Sequence, residues 1–242
     1  MPLGESALVR KLGSFIRLSP AELMLLGEIQ SNRRYVVKQT ELVHEGQSGH
    51  RTYILQEGWA SCYKILPDGG RQIITFSLPG DCMGLRSLLL RTSDHSFATI
   101  TDAVISDIPS HRIFSLFQDH PRLGAAILWA ASRDEAMTVE HLVNIGRRSA
   151  IDGTAHLILE LHERLQLVGM ATPTGFDCPL NQNALADALG LSVIHVNRVL
   201  RQLRERGLMT FLAHHVIIHD LAGLRALAQY DSGYLDQSKV PI

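Results

Sequence analysis

The sequence predicts an α+β chain of two domains: an N-terminal antiparallel β-barrel, then a long helix leading into a C-terminal winged helix-turn-helix. Three observations predict it. Between Tyr35 and Ile108, short runs rich in β-branched and aromatic residues alternate with glycine and proline, the pattern of many short antiparallel strands. From His120-Pro121 to about Ile145, apolar residues recur at helical spacing. The stretch 181–207, NQNALADALGLSVIHVNRVLRQLRERG, divides at Gly190-Leu191-Ser192 into two helical patterns joined by a turn.

A length of 242 residues suits two domains, each able to bury its own core, and 45% hydrophobic with 19% charged residues is ordinary globular composition. The formal net charge is −1, so affinity for nucleic acid has to come from a local patch rather than from the whole-molecule field. The three cysteines, Cys62, Cys82 and Cys178, form no CxxC and no secreted disulfide framework, which fits a reducing cytosol. The amino terminus lacks the apolar core of a signal peptide, and the longest apolar run, 125–131, is too short to cross a bilayer. A cytoplasmic protein with no membrane partner is expected.

Taken in order, residues 1–30 carry Leu8, Leu12, Phe15 and Ile16, then Leu23, Leu25 and Leu26, at helical spacing. Ser19-Pro20 with Glu22 marks a helix start. Strands are expected over 35–37, 42–43, 53–55, 59–66, 72–78, 97–101 and 104–108, with Pro67-Asp68-Gly69-Gly70 as the clearest hairpin turn. Along the helix from Pro121 lie Leu123, Ile127, Ala130, Met137, Leu142 and Ile145. Such a helix either packs on its own barrel or shares part of its length with a twin across a two-fold axis. Gly146-Arg147-Arg148 suggests a hinge, followed by a helix over 151–168 and a strand over 177–180. From Tyr230 onward no period is sustained, and a loosely ordered tail is expected.

The stretch from Asn181 is the informative one. Asn181 is a good N-cap, and Ala184, Leu185, Ala188 and Leu189 form an apolar face. Gly190 ends the first helix and Ser192 caps the second, in which Val196, Val199, Leu200 and Leu203 make one buried stripe. Opposite or beside that stripe lie Ile194, His195, Asn197, Arg198, Arg201 and Gln202. Residues 208–218 then read as a short β-hairpin with His214-His215 near its turn, which supplies the wing. Between Asn181 and Asp220 lie four Arg (Arg198, Arg201, Arg204, Arg206) against two acids (Asp187, Glu205). An αα-hairpin with a solvated charged face would share some of these features, but the wing and the local basicity point to double-stranded DNA. The residues expected to touch it are Gln182, Ser192, Val193, Ile194, His195, Asn197, Arg198 and Arg201.

Three segments in this order, GWASCYKILPDGGRQIITFSLPGD (58–81), PRLGAAI (121–127) and LGLSVIHVNRVLRQLRERGLM (189–209), resemble the Crp/Fnr superfamily of bacterial transcription regulators over nearly the whole chain. The resemblance implies a cyclic-nucleotide-binding-like jelly roll as an effector-sensing barrel over 1–119, with its N-terminal helices. It implies a long dimerisation helix and hinge over 120–146, a winged helix-turn-helix over 147–229 and a tail over 230–242. It further implies a homodimer reading a pseudo-palindromic operator through the helix 193–206, and contact with RNA polymerase if the protein is an activator.

In members that bind cyclic AMP, a Gly-Glu pair and an Arg-Ser pair hold the ribose phosphate. The matching stretch here is GDCMGLRSLLLRTSDHSFA, 80–98. Gly84 and Ser96 match, but Leu85 stands for the Glu and His95 for the Arg; on the long helix Thr138 matches, while the neighbouring Ser becomes Val139. The candidate effector pocket is thus Gly84, Leu85, His95, Ser96 and Thr138. Loss of the Arg removes a bidentate phosphate clamp that His cannot replace, and each lost charged hydrogen bond costs ~1.5–3 kcal/mol. Cyclic AMP is disfavoured. Arg86 and Arg91 are read as solvated surface rather than as substitute clamps. An iron–sulfur version needs four Cys clustered mostly near the amino terminus, and with Cys62 as the first it is excluded. Haem would need an axial ligand such as His95, which is more simply structural, so haem is not expected. Cys82 is either a redox switch or a small buried hydrophobe. No cofactor is therefore assigned, and a regulator with a purely structural barrel is the alternative.

The recognition helix departs from the best-known members, which place Arg and Glu at its first two positions. Val193 and Ile194 stand there, and Arg198 matches the third position, where those members carry another Arg. Arg suits guanine N7 and O6, whereas Val or Ile contacts only thymine methyls; His195 and Asn197 offer polar contacts, Asn being suited to adenine. The operator sequence therefore does not transfer. An enzyme built on the barrel, for example a cupin-like metal oxygenase, needs convergent His with a carboxylate, but His44, His50 and His95 are scattered. No nucleophile elbow, P-loop or dinucleotide fingerprint occurs either, so no enzyme activity is expected.

Overall fold

Ser6 opens the first helix, α1 (Ala7–Phe15), by accepting the Val9 N–H, and α1 buries Leu8, Val9, Leu12 and Phe15. The computed structural model describes residues 6–49 and 51–235, with the side chains of residues 86 and 87 left out; His50 and the Arg86 side chain thus lie outside the described residues. α2 (Pro20–Ile29) begins with the expected capping box: Ser19 accepts the Glu22 N–H at 3.3 Å and Glu22 accepts the Ser19 N–H at 2.7 Å.

Eight strands follow: β1 (Arg33–Val36), β2 (Glu41–Val43), β3 (Thr52–Glu57), β4 (Ala60–Ile65), β5 (Arg71–Ser77), β6 (Cys82–Met83), β7 (Ser96–Thr99) and β8 (Ala103–Ile108). They make two four-stranded sheets, ordered β1-β8-β3-β6 and β2-β7-β4-β5. The sequence-distant pairing β3–β8 is antiparallel, with Ile54 opposite Ser106, and slips register between Leu55 and Glu57. The expected antiparallel barrel is therefore present, with one short strand, β6, that its two residues were too few to announce.

α3 (Ser110–Asp119) and α4 (Pro121–Gly146) complete this part. Leu123, Ala126, Ile127 and Ala130 of α4 join Leu8, Leu12, Leu26 and Ile113 in one apolar cluster. Inside it, the buried Lys11 ammonium lies 2.8 Å from Asp81 and 3.9 Å from Asp134. Burial alone would lower the Lys11 pKa, but the two carboxylates outweigh it and raise it, so the site holds a compensated charge.

The contacts divide the described residues into two units, 6–64 with 76–135 and 65–75 with 136–235, so α4 contributes to both and the β4–β5 hairpin tip belongs to the second. Leu123, Ile127, Ala130 and Met137 of α4, four of the six positions singled out in the sequence, are buried within this chain and face no solvent. The apolar residues α4 leaves exposed are Leu128, Val139, Leu142, Val143 and Ile145. Hydrophobic periodicity gave the helix correctly but mixed its two faces, because both carry apolar residues.

In the second unit α5 (Ala150–Leu167) is the buried centre, capped by Ser149 and packed by α6 (Gln182–Leu189), α7 (Val193–Glu205) and α8 (Leu221–Ala228). β9 (Ala171–Thr172), β10 (Gly175–Asp177), β11 (Met209–Leu212) and β12 (His215–Ile218) form a sheet ordered β11-β12-β10-β9. The strand expected over 177–180 lies instead over β10; Cys178 then leaves the ladder, its N–H donating to the His214 carbonyl at 2.8 Å. The expected loose tail is also corrected for its first residues. Residues 232–235 form a 3-10 turn with Leu235 buried, and the Tyr230 and Tyr234 hydroxyls donate to Glu163 (3.1 Å) and Glu160 (3.0 Å) on α5. The rest of that tail, 236–242, lies outside the described residues. Among the described residues, no helix is long and apolar enough to cross a membrane.

Candidate nucleic-acid interface

Two capped helices and a left-handed glycine set the geometry. Asn181 accepts the Ala184 N–H at 2.8 Å to start α6, which buries Ala184, Leu185, Ala186, Ala188 and Leu189. Gly190 ends it at φ 64°, a conformation that costs a residue with a Cβ but not glycine. Two residues later Ser192 accepts the His195 N–H at 3.2 Å and starts α7. Such a turn leaves the first N–H groups of α7 unpaired by the helix and available to an anion such as a DNA phosphate.

α7 is held down by Val196, Val199 and Leu203, all buried, with Leu200 half-buried beside them. Ile194, Asn197, Arg198 and Arg201 are exposed, and their spacing of three, four and seven residues from Ile194 places them on one stripe. Val193, Ser192 and Gln182 are exposed near the same helix starts, and His195 is half-buried. Among the described residues, no carboxylate makes an ion pair with Arg198 or Arg201. Every residue expected to touch DNA except His195 is thus solvent-facing.

The wing is the β11–β12 hairpin, Met209 opposite Ile218 and Leu212 opposite His215. Its two turn residues, Ala213 (φ 49°) and His214 (φ 61°), both have positive φ, as the tight hairpin turn that matches strand twist requires. β10 flanks β12, and Asp177 pairs with His215 Nδ1 across them at 2.8 Å. Cys178, beside this sheet, is buried, and burial pushes its thiol up to about 12, where it stays protonated and inert.

The hairpin tip that belongs to this unit touches the reader. Arg71 pairs with Asp187 of α6 at 2.7 Å, Gln72 donates to the Ala188 carbonyl at 3.2 Å, and His141 of α4 lies 3.2 Å from the Ile73 carbonyl. Nothing local in the sequence announces these contacts, since they join residues 68 to 116 positions apart.

The candidate effector residues are placed differently from one another. Gly84 has φ 81°, and a Cβ there would come within 2.7 Å of the Arg51 carbonyl, so its glycine is explained by backbone packing alone. Leu85 packs against the apolar cluster of the first unit and lines a small crevice with Leu12, Leu26, Ile54 and Cys82. Burial raises the Cys82 thiol to about 12, well away from the reactive thiolate range. His95 is buried, its Nδ1 2.5 Å from Asp94 and its ring edge-on to Phe97. Ser96 Oγ accepts the Glu45 N–H at 2.9 Å. Thr138 is half-buried in the second unit.

Sequence comparison places this geometry. Residues 154–227 match the Crp-like helix-turn-helix domain, and residues 33–120 match the cyclic nucleotide-binding domain. The nitrogen fixation regulation protein FixK of Bradyrhizobium diazoefficiens is 32% identical over 177 residues, 73% of this chain and 73% of that protein. The transcriptional activatory protein AadR of Rhodopseudomonas palustris is 28% identical over 222 residues, 91% of this chain and 90% of that one. In fold, FixK2 from Bradyrhizobium japonicum is similar with a TM-score of 0.73 at 24% identity, covering 81% of this chain and 96% of that chain. With the capped reader, its wing and the preceding barrel in place, the chain belongs to the Crp/Fnr family of DNA-binding transcription regulators.

Proposed function

We propose that this regulator acts in the cytoplasm as a homodimer that reads a pseudo-palindromic operator, one α7 entering the major groove of each half-site. The observation that carries this reading is the split of α7 into a buried stripe (Val196, Val199, Leu203) and an exposed one (Ile194, Asn197, Arg198, Arg201). The buried stripe fixes the helix, and the exposed one carries groups able to meet base edges and phosphates. Two such helices need half-sites ~34 Å apart, one turn of DNA.

The exposed apolar residues of α4 supply the seam. Leu128, Val139 and Leu142 are 59%, 56% and 65% exposed, and their separations of eleven and three residues keep them on one side of a helix. A second copy would cover them. Enrichment of operators from random DNA, followed by footprinting, tests the reader; two protected half-sites one turn apart are expected. Sedimentation tests the seam. A wild-type monomer at micromolar concentration that still binds its operator with full affinity would overturn the dimer, and Leu142→Glu should weaken self-association.

The same reading includes gating by an effector other than cyclic AMP and, for an activator, contact with RNA polymerase. Calorimetry giving a sub-micromolar dissociation constant for cyclic AMP would overturn the first. A second reading, a barrel that serves only as structure, is favoured by one observation: Leu85 packs into the apolar cluster, while Ser96 Oγ and His95 Nδ1 are engaged by Glu45 and Asp94. Mass spectrometry of small molecules released from the purified protein separates the two readings.

A further inference from the structure

We infer that Ile194 is a methyl reader: in each half-site it docks on the C5-methyl group of one pyrimidine, so that thymine and 5-methylcytosine are preferred there over their unmethylated counterparts. This rests on the reading of α7 as the recognition helix and names what one of its residues selects.

Ile194 is 81% exposed, although it is a large branched hydrocarbon on a helix whose other apolar residues are mostly turned inward. Its companions on the exposed stripe, Asn197, Arg198 and Arg201, are all polar or charged. The Ser192 cap fixes the start of the helix immediately before it. In a helix-turn-helix the N-terminal residues of the second helix meet the base edges. Ile194 therefore brings an apolar surface to the floor of a groove that otherwise offers hydrogen-bonding groups.

Only one apolar group stands on the major-groove edges of the four base pairs, the thymine C5-methyl. Against a purine, Ile194 would cover N7 without offering a donor, which costs free energy. Cytosine presents only a hydrogen at C5, and methylation of that carbon restores the same methyl at the same place. The C4 substituents differ, an oxygen on thymine and an amino group on cytosine, but a hydrocarbon side chain does not distinguish them by hydrogen bonding. Because Ile is β-branched, one χ1 rotamer dominates in a helix, and the contact orders little that is not already ordered.

The test begins with an operator enriched from random DNA by the wild-type protein. If no sequence is enriched, the reading of α7 as a sequence reader falls, and this inference with it. With an operator in hand, each thymine is replaced in turn by deoxyuridine in both half-sites. Loss of one buried methyl should weaken binding about fourfold per half-site and about 15-fold for the pair, at one symmetric position. At that position 5-methylcytosine paired with guanine should bind more tightly than cytosine by the same factor. Ile194→Ala, which removes an exposed side chain and keeps a good helix former, should bind thymine, deoxyuridine and both cytosine versions alike there. Ile194→Val should retain part of the preference. A flat deoxyuridine scan with the wild-type protein overturns the inference whatever the variants do. So does a sensitive position that survives in Ile194→Ala and disappears in Val193→Ala, which would assign the methyl to the neighbouring residue.

Discussion

Acidification should destabilise the second unit through one residue, His156. Its ring is 1% exposed, on α5 in the second turn after the short link from α4. Arg148 donates to Asn144 Oδ1 at 2.8 Å, which turns the Asn144 amide nitrogen towards His156 Nδ1 at 3.2 Å. Nδ1 must then accept, and the neutral ring carries its proton on Nε2. Glu140 lies 3.5 Å from Nε2, but the same oxygen is held by Arg148 at 2.9 Å. Tyr230 meets the ring edge-on and Tyr234 stacks on it, neither offering a charge at ordinary pH. Burial first, then the positive Arg148 and the nearby His141, push the His156 pKa from 6.5 to about 4. Between those values the unfolded chain binds a proton that the folded chain refuses, so stability is full above 6.5 and falls as pH drops towards about 4. A shift of that size corresponds to ~3 kcal/mol at 1.36 kcal/mol per unit. His141, whose pKa burial also lowers, adds in the same direction. Calorimetric melts of the wild type and of His156→Gln between neutral pH and about pH 4.5 isolate the effect, because the carboxylates common to both cancel in the difference. The variant should lose ~2.4 kcal/mol of the pH dependence over this window, whatever its absolute melting temperature. Equal slopes of stability against pH in the two proteins would refute the assignment of the proton to His156.

Three further outcomes follow from the geometry. Arg198→Ala should lose ~1–3 kcal/mol of discrimination at one base pair per half-site, whereas Arg201→Ala should weaken all DNA alike and lower the salt slope by about one per subunit; operator selection with salt titration distinguishes them. Leu85→Glu, which would place the family's missing carboxylate, should instead destabilise the first unit by ~2 kcal/mol, because Leu85 packs on the apolar cluster; thermal melts check it. Ala213→Asn should stabilise the second unit by ~0.5–1 kcal/mol, since Ala213 sits at φ 49° in a wing turn where Asn carries less strain; a lower melting temperature would count against that turn geometry.

What the sequence disclosed depended on how locally each feature is encoded. Caps are written within four residues, and the Ser19–Glu22 box, the Asn181 and Ser192 caps and the left-handed Gly190 all stand where the residues put them. The buried stripe of α7 is likewise a local periodicity, and the exposed residues expected to touch DNA are its complement. The wing hairpin was legible from its own strands, but its flanking strand was set two residues too late. β10 owes its position to pairing with β12, where Phe176 faces Val216. The candidate effector residues were matched by position along the chain, and position does not say which way a side chain turns. Leu85 proved to be part of the apolar cluster, while His95 and Ser96 found partners in Asp94 and Glu45.

The long helix shows why a correct secondary structure can still leave an interface ambiguous. A helix packed on one side repeats its apolar residues about every 3.6 positions, and one shared with a twin adds a second stripe at 3.5. α4 carries both kinds of residue: Leu123, Ile127, Ala130 and Met137 turn inward, whereas Leu128, Val139 and Leu142 remain exposed. Both sets are apolar, so no count of apolar residues separates them. What separates them is the rest of the chain, because α1, α2 and α3 supply the cluster that takes up Leu123, Ile127 and Ala130. The residues left over are those that the other described residues of the chain do not cover. By the same logic the exposed stripe of α7 was identified by elimination, once Val196, Val199 and Leu203 had been claimed by the core of their own unit. In both helices the proposed binding surface is what folding leaves uncovered, and the chemistry of those residues suits the partner proposed for each: hydrocarbon on α4 for a second copy, and cations with an exposed isoleucine on α7 for DNA.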